Sequence, residues 1–102
     1  MNAKFFTESF ELQDTHGLPI DVTHDLCKEN GIHVDWLAAL CKCWLNSCLK
    51  YDSFVRQASL LANVDLDKKF KQAGAVAIAM NPEMKLAPNP VDEACRWILA
   101  NK

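Results

Sequence analysis

The chain predicts an all-α fold, a single compact domain of about six helices spanning residues 1–102. Apolar side chains recur every three or four positions along most of its length, the period of helices packed on one face. Helix-starting residues such as Asp35, Asp65 and Asn89 stand just ahead of several of these runs. The stretch most suggestive of a strand, Val76-Ala77-Ile78, has no partner elsewhere in the sequence. A chain of 11.5 kDa buries about 65% of the surface its open form exposes, enough for one core and too little for a second domain. Half the residues are apolar and 24% are charged, which excludes wholesale disorder.

The first helix is expected over Phe5 to Gln13, with Phe6, Phe10 and Gln13 on one line. Asp14-Thr15-His16-Gly17-Leu18-Pro19 breaks it, since Gly17 tolerates a positive φ and Pro19 suits the first turn of a new helix. That helix runs from Pro19 to Asn30 with Ile20, Leu26 and Cys27 inward, and Gly31 stops it. The two form a helix–turn–helix hairpin at the N-terminal end. Asp35 caps a third helix, Trp36 to Lys50, whose stripe holds Leu37, Leu40, Cys41, Trp44, Leu45 and Cys48. Cys43 falls off that stripe and reads as an exposed, oxidisable thiol. Asp52 caps a fourth helix from Ser53 to about Asn63, burying Phe54, Val55, Ala58, Leu61 and Ala62. Asp65 or Asp67 opens a fifth that ends before Pro82, with Leu66, Phe70, Ala73, Ala77 and Met80 inside, and Gly74 weakening it by up to about 1 kcal/mol. Residues 81–89 are a loop. Asn89 caps a last helix with Pro90 in its first turn, burying Val91, Ala94, Cys95 and Ile98.

Charge is unevenly distributed. Residues 1–35 carry two lysines and seven acids, and residues 36–102 carry nine basic and six acidic groups, for a net charge of −2. Any contact with phosphate is therefore local, and the best basic cluster is Lys68, Lys69 and Lys71, near Arg56. Such a cluster also reads as a solvated helix face. Five cysteines are an odd number, and those within the third helix are placed too badly to pair, which points to a reducing, cytoplasmic setting. The longest uncharged stretch, Gln72 to Pro82, falls short of the ~20 residues a membrane span requires, and the first residues do not read as a signal peptide.

Few constellations carry chemistry. His24 and Cys27 share a helix face, and His16 and His33 could complete a four-ligand zinc site, but the spacing fits no zinc pattern and Cys27 lies on the apolar stripe; no metal or cofactor is expected. There is no Gly-x-Ser-x-Gly, no phosphate-binding glycine loop and no carboxylate pair in an identifiable cleft, so catalysis is not expected. Trp36 and Trp97 remain as candidates for a surface apolar patch.

The run Phe10-Glu11-Leu12-Gln13-Asp14-Thr15-His16-Gly17-Leu18-Pro19-Ile20-Asp21-Val22-Thr23, continuing through Asp25, Glu29, Gly31, Val34 and Asp35, resembles a segment of alanyl-tRNA synthetase. In that family a Phe-x-Leu-x-Asp-Thr-Tyr-Gly-Phe-Pro-x-Asp-Leu-Thr run lies in the helical region that follows the aminoacylation core. Asp14, Thr15, Gly17, Pro19, Asp21 and Thr23 fit directly, while His16, Leu18 and Val22 replace the usual residues. The resemblance covers residues 10–35 and fades at Trp36. It implies contact with the acceptor stem of tRNA or another structured RNA through Asp14, with Thr15 and His16 beside it, since a carboxylate can accept a hydrogen bond from a guanine amino group. Lys68, Lys69 and Lys71 would then supply attraction to phosphate. On the other reading Asp14 and Thr15 hydrogen-bond the turn and cap the second helix. In that case the domain is an accessory scaffold for a protein partner or self-association, through apolar surface around Trp36 or Trp97.

Overall fold

The computed structural model describes residues 4–101. Its elements in chain order are β1 (Phe5–Phe6), α1 (Ser9–His16), α2 (Ile20–Glu29), β2 (His33–Val34), α3 (Trp36–Asn46), α4 (Tyr51–Ala62), α5 (Leu66–Met80) and α6 (Pro90–Ala100). The fold is all-α, as the periodicity predicts, with one minimal parallel pairing of β1 with β2. Val76, Ala77 and Ile78 lie within α5, which runs unbroken through Gly74.

The β pairing was not expected, and it changes the start of the chain. Phe5 pairs with His33 and Phe6 with Val34. Their ladder is closed by His33 N–H to the Lys4 carbonyl (2.9 Å) and Asp35 N–H to the Phe6 carbonyl (2.8 Å). The backbone of Phe5 and Phe6 is therefore committed to β2, and the first helix begins at Ser9 and continues to His16 rather than spanning Phe5 to Gln13. Gly17 ends it in the left-handed region (φ 67°).

Helix α3 lies at the centre, packed by α1, α4, α5 and α6. Asp35 caps it, its carboxylate accepting from the Ala38 N–H at 3.0 Å. Ala38, Ala39, Leu40, Cys41 and Cys43 are all buried. Cys43 is thus a core residue at 0% exposure, not a surface thiol. The opposite correction applies to Cys48. Helix α3 stops at Asn46, Ser47 turns extended, and Cys48 sits exposed in a 3-10 turn reaching to Lys50. That turn feeds directly into α4, so Asp52 lies inside the first turn of α4 and does not cap it. Tyr51, the first residue of α4, is buried there.

Three further residues assigned to the core face outward. Leu26 is 50% exposed, because α2 buries the line Ile20, Thr23, Cys27 and Leu26 falls one position off it. Met80 is 64% exposed at the C-terminal end of α5, and Val91 is 40% exposed in the first turn of α6. Pro19 occupies the position just before α2 rather than its first turn, and Asn89 precedes α6 without a side-chain cap. Asp65 caps α5, accepting from Lys68 N–H at 3.1 Å. Residues 81–89 contain a 3-10 turn, Pro82–Leu86.

Aromatic packing and a few polar ties fix the helices to one another. Trp44, Tyr51 and Phe70 form a cluster with ring centroids 4.9 to 5.8 Å apart. Phe10 meets Phe54 edge-on at 5.4 Å. The Trp44 indole N–H donates to Asp92 Oδ1 (2.8 Å), joining α3 to α6, and the Tyr51 hydroxyl donates to Asp67 Oδ1 (2.8 Å), joining α4 to α5.

Two predictions test this packing. Hydrogen bonds from Lys71 and Tyr51 hold the Asp67 carboxyl below the usual carboxylate range. The stabilisation is thus complete above the ordinary aspartate pKa and is lost as pH falls through the lower folded value. Tyr51→Phe should cost about 1 kcal/mol in urea unfolding at neutral pH and progressively less in strong acid. For the thiols, burial pushes Cys43 up to about 11 and also raises Cys27. Cys95 is raised by its hydrogen bond with Cys41 and by burial. A thiol reagent should titrate Cys48 rapidly in the native protein and the other four cysteines only on unfolding.

Candidate functional site

The α1–α2 turn is built by backbone geometry. Once Gly17 turns left-handed, its N–H reaches the Gln13 carbonyl (3.1 Å) and the Leu18 N–H the Leu12 carbonyl (3.0 Å). Pro19 sets the entry to α2, and Thr23 returns both its N–H (3.2 Å) and its hydroxyl (3.5 Å) to the Pro19 carbonyl. The start of α2 receives no side-chain cap. Asp14 and Thr15 therefore do not perform the turn-holding role that their residue types suggest.

Asp14, Thr15 and His16 are all exposed on this turn. Asp14 Oδ1 is paired with the Nζ of Lys50, which reaches it from the 3-10 turn before α4. The side chains of Thr15 and His16 make no hydrogen bond among the described residues. A shallow cavity of about 450 Å³ lies beside Asp14, lined by Phe10, Gln13, Lys50, Ser53 and Gln57. Lys42 supports the same region, its ammonium donating to the Thr7 carbonyl (3.1 Å) and to Glu11 Oε2 (2.9 Å). The turn thus presents an acceptor-rich surface with one half-exposed cation set against it.

Lys68, Lys69 and Lys71 belong to a different part of the molecule. They sit on α5, which packs on α3, α4 and α6, whereas α1 packs on α2 and α3. Lys71 is engaged with Asp67 at 2.9 Å. Lys69 lines a second, larger cavity that shares no residue with the one beside Asp14. The structure does not bring the two halves of the sequence-derived set together. The cation beside Asp14 is instead Lys50, which sequence spacing could not reveal because 36 positions separate the pair.

The larger cavity is a half-open groove of about 1080 Å³. Leu37, Leu40, Leu66, Phe70 and Ile98 contribute apolar lining, and Trp36 and Trp97, each singled out from sequence, both border it. His24 also borders it, its ring 6.0 Å from that of Trp36. The His24–Cys27 pair does not develop into a ligand cluster. Cys27 is buried, His24 Nδ1 lies 3.8 Å from Asp25 Oδ1, and the described residues contain no group of three or more side chains arranged to hold a metal. No helix of the described residues is long and apolar enough to cross a membrane.

No family model matches the chain, and no solved structure matches it. Short similarities to curated proteins are found. Over 27 residues the chain is 52% identical to the alanine–tRNA ligases of Acidovorax sp. (strain JS42) and Delftia acidovorans. Over 29 residues it is 52% identical to that of Bordetella parapertussis. These stretches cover 26 to 28% of this chain and 3% of each ligase. The similarity is that of a segment, in keeping with the resemblance carried by residues 10–35.

Proposed function

We propose that this chain is a non-catalytic helical module, working in the cytoplasm, that contacts structured RNA of the tRNA acceptor-stem type through its α1–α2 turn. Asp14 is the base-contacting acceptor, Thr15 and His16 are its neighbours, and Lys50 supplies the cation for the adjoining phosphate. One observation carries the reading. Asp14 and Thr15 stand exposed on a turn that holds its shape without their side chains. The segment similarity to alanine–tRNA ligases supports the same direction. An exposed carboxylate against an acidic background does not attract RNA by itself, so the Lys50 ammonium beside it gives the chemistry coherence. The lysines of α5 stand apart from this turn and are not needed for it. The scaffold reading has its own supporting observation, the groove bordered by both Trp36 and Trp97.

The test is binding of a fluorescently labelled acceptor-stem minihelix, followed by anisotropy across a salt series. Asp14→Ala should weaken binding by about tenfold, the range of one good base contact. Lys50→Ala should weaken binding and lower the salt slope by about one phosphate contact. Binding no tighter than that of an unrelated acidic helical protein, or unchanged in Asp14→Ala, would overturn the proposal.

A further inference from the structure

The groove between the C-terminal end of α2, β2 and helices α3 to α6 has an unusual charge pattern. Its titratable lining consists of His24, Lys28, His33 and Lys69, and no aspartate or glutamate lines it among the described residues. This occurs in a chain with thirteen acids and eleven basic residues, so the rim is cationic against the protein's overall charge. Lys28 and Lys69 stand on separate walls, on α2 and α5, and neither side chain makes an ion pair or hydrogen bond among the described residues. Between them the accessible apolar lining comes from the partly buried Trp36, Leu37, Leu61 and Trp97, over the buried Leu40, Phe70 and Ile98, with Val64 and Val76 44% and 56% exposed at the edge.

The dimensions narrow the occupant. At about 1080 Å³ the groove is slightly larger than the ~300–1,000 Å³ typical of small-molecule sites. It is also about half open to solvent, whereas such sites bury most of their ligand. A partner that keeps one face in water fits better. Trp36 and Trp97 are partly buried, and their indole N–H groups have no acceptor among the described residues. Aromatic anchors of this kind concentrate binding energy at protein interfaces.

We propose that this groove docks an amphipathic helix of a partner protein, its apolar stripe against Trp36, Leu37, Trp97 and Val76 and its flanking carboxylates against Lys28 and Lys69. Apolar contact supplies the affinity, and the paired rim charges set the register and reject basic helices. The inference rests on the scaffold reading and is independent of the RNA contact, because the groove shares no residue with the cavity at Asp14.

The full chain is titrated with two synthetic helical peptides, each with leucines at i, i+3, i+4 and i+7. One is flanked by glutamates, the other by lysines at the same positions. Binding is read by isothermal calorimetry and by the tryptophan emission of the protein. The glutamate peptide should bind at least about tenfold more tightly than its lysine twin, with a blue shift. The surface double variant Lys28→Glu/Lys69→Glu, with its helicity checked by circular dichroism, should reverse that preference. Asp14→Ala should leave peptide binding unchanged, so failure of the RNA contact and failure of the groove are read separately. Equal affinity for both peptides, binding of neither, or displacement of the glutamate peptide by dodecanoate or a single-stranded oligonucleotide at lower concentration would overturn the proposal. So would self-association that is abolished by the double variant.

Discussion

The structure depends on the burial of α3 from several sides at once. Successive residues of a helix point about 100° apart, so four consecutive buried positions, Ala38 to Cys41, sweep its whole circumference. Such a helix cannot lie on a core; it has to lie inside one. Small side chains make this feasible, since Ala38, Ala39, Cys41 and Cys43 allow neighbouring helices to approach its backbone closely. The outer helices α1, α4, α5 and α6 supply the enclosure and need only one apolar face each. Where α3 carries larger or polar groups they become ties to that shell: Trp44 to Asp92 on α6, and Lys42 to Glu11 on α1.

This arrangement separates the α1–α2 turn from the larger groove. The α1–α2 hairpin covers one side of α3, held there by Phe10 against Phe54, Lys42 to Glu11 and Lys50 to Asp14. On the side bounded by α5 and α6 the shell is incomplete. The end of α2 and β2 approach but leave Trp36, Leu37 and Trp97 only partly covered, with Val64 and Val76 exposed at the edge, which forms the groove. The short β1–β2 ladder helps set that opening, because it anchors the segment that carries His33 and leads into Trp36.

How much of this is legible in the sequence follows from how local each determinant is. The caps Asp35 and Asp65 are legible because a side chain and an N–H three residues on suffice to define them. The break at Gly17 is legible for a similar reason. Phe5 and Phe6 are not, since their strand pairing depends on residues 33 and 34, and the helical spacing to Phe10 imitates a continuous stripe. Cys43 and Cys48 exchange places for one reason each. A one-face rule cannot describe a helix packed on several sides, and a stripe extrapolated past Asn46 assumes a helix that has already ended. Leu26, Met80 and Val91 show the residual error of periodicity near helix ends, where a neighbour must be present for an apolar residue to be covered. The candidate site follows the same division. The turn can be read from sequence, but its cation Lys50 and the convergence of Trp36 with Trp97 exist only in three dimensions.

The turn itself shows how a resemblance can be divided between shape and recognition. Of the residues that match the synthetase pattern, Gly17, Pro19 and Thr23 have their roles in the backbone: a positive φ, the approach to α2, and hydrogen bonds to a carbonyl four residues back. A turn of this shape requires them whatever the domain does. Asp14 and Thr15 are different. Asp14 finds its partner in Lys50, outside the resembling segment, and Thr15 has no side-chain partner among the described residues. Neither side chain enters the hydrogen bonds of the turn itself; Asp14 instead ties the hairpin to the 3-10 turn before α4. The Lys50 contact also restrains the carboxylate through one oxygen and leaves the other without a partner among the described residues. A carboxylate held in one orientation loses less freedom when it accepts a further hydrogen bond, and the ammonium beside it offsets the repulsion an approaching phosphate would meet. Within the turn, the shape is held by the hydrogen bonds of Gly17, Leu18 and Thr23, and the side chains of Asp14 and Thr15 take no part in them.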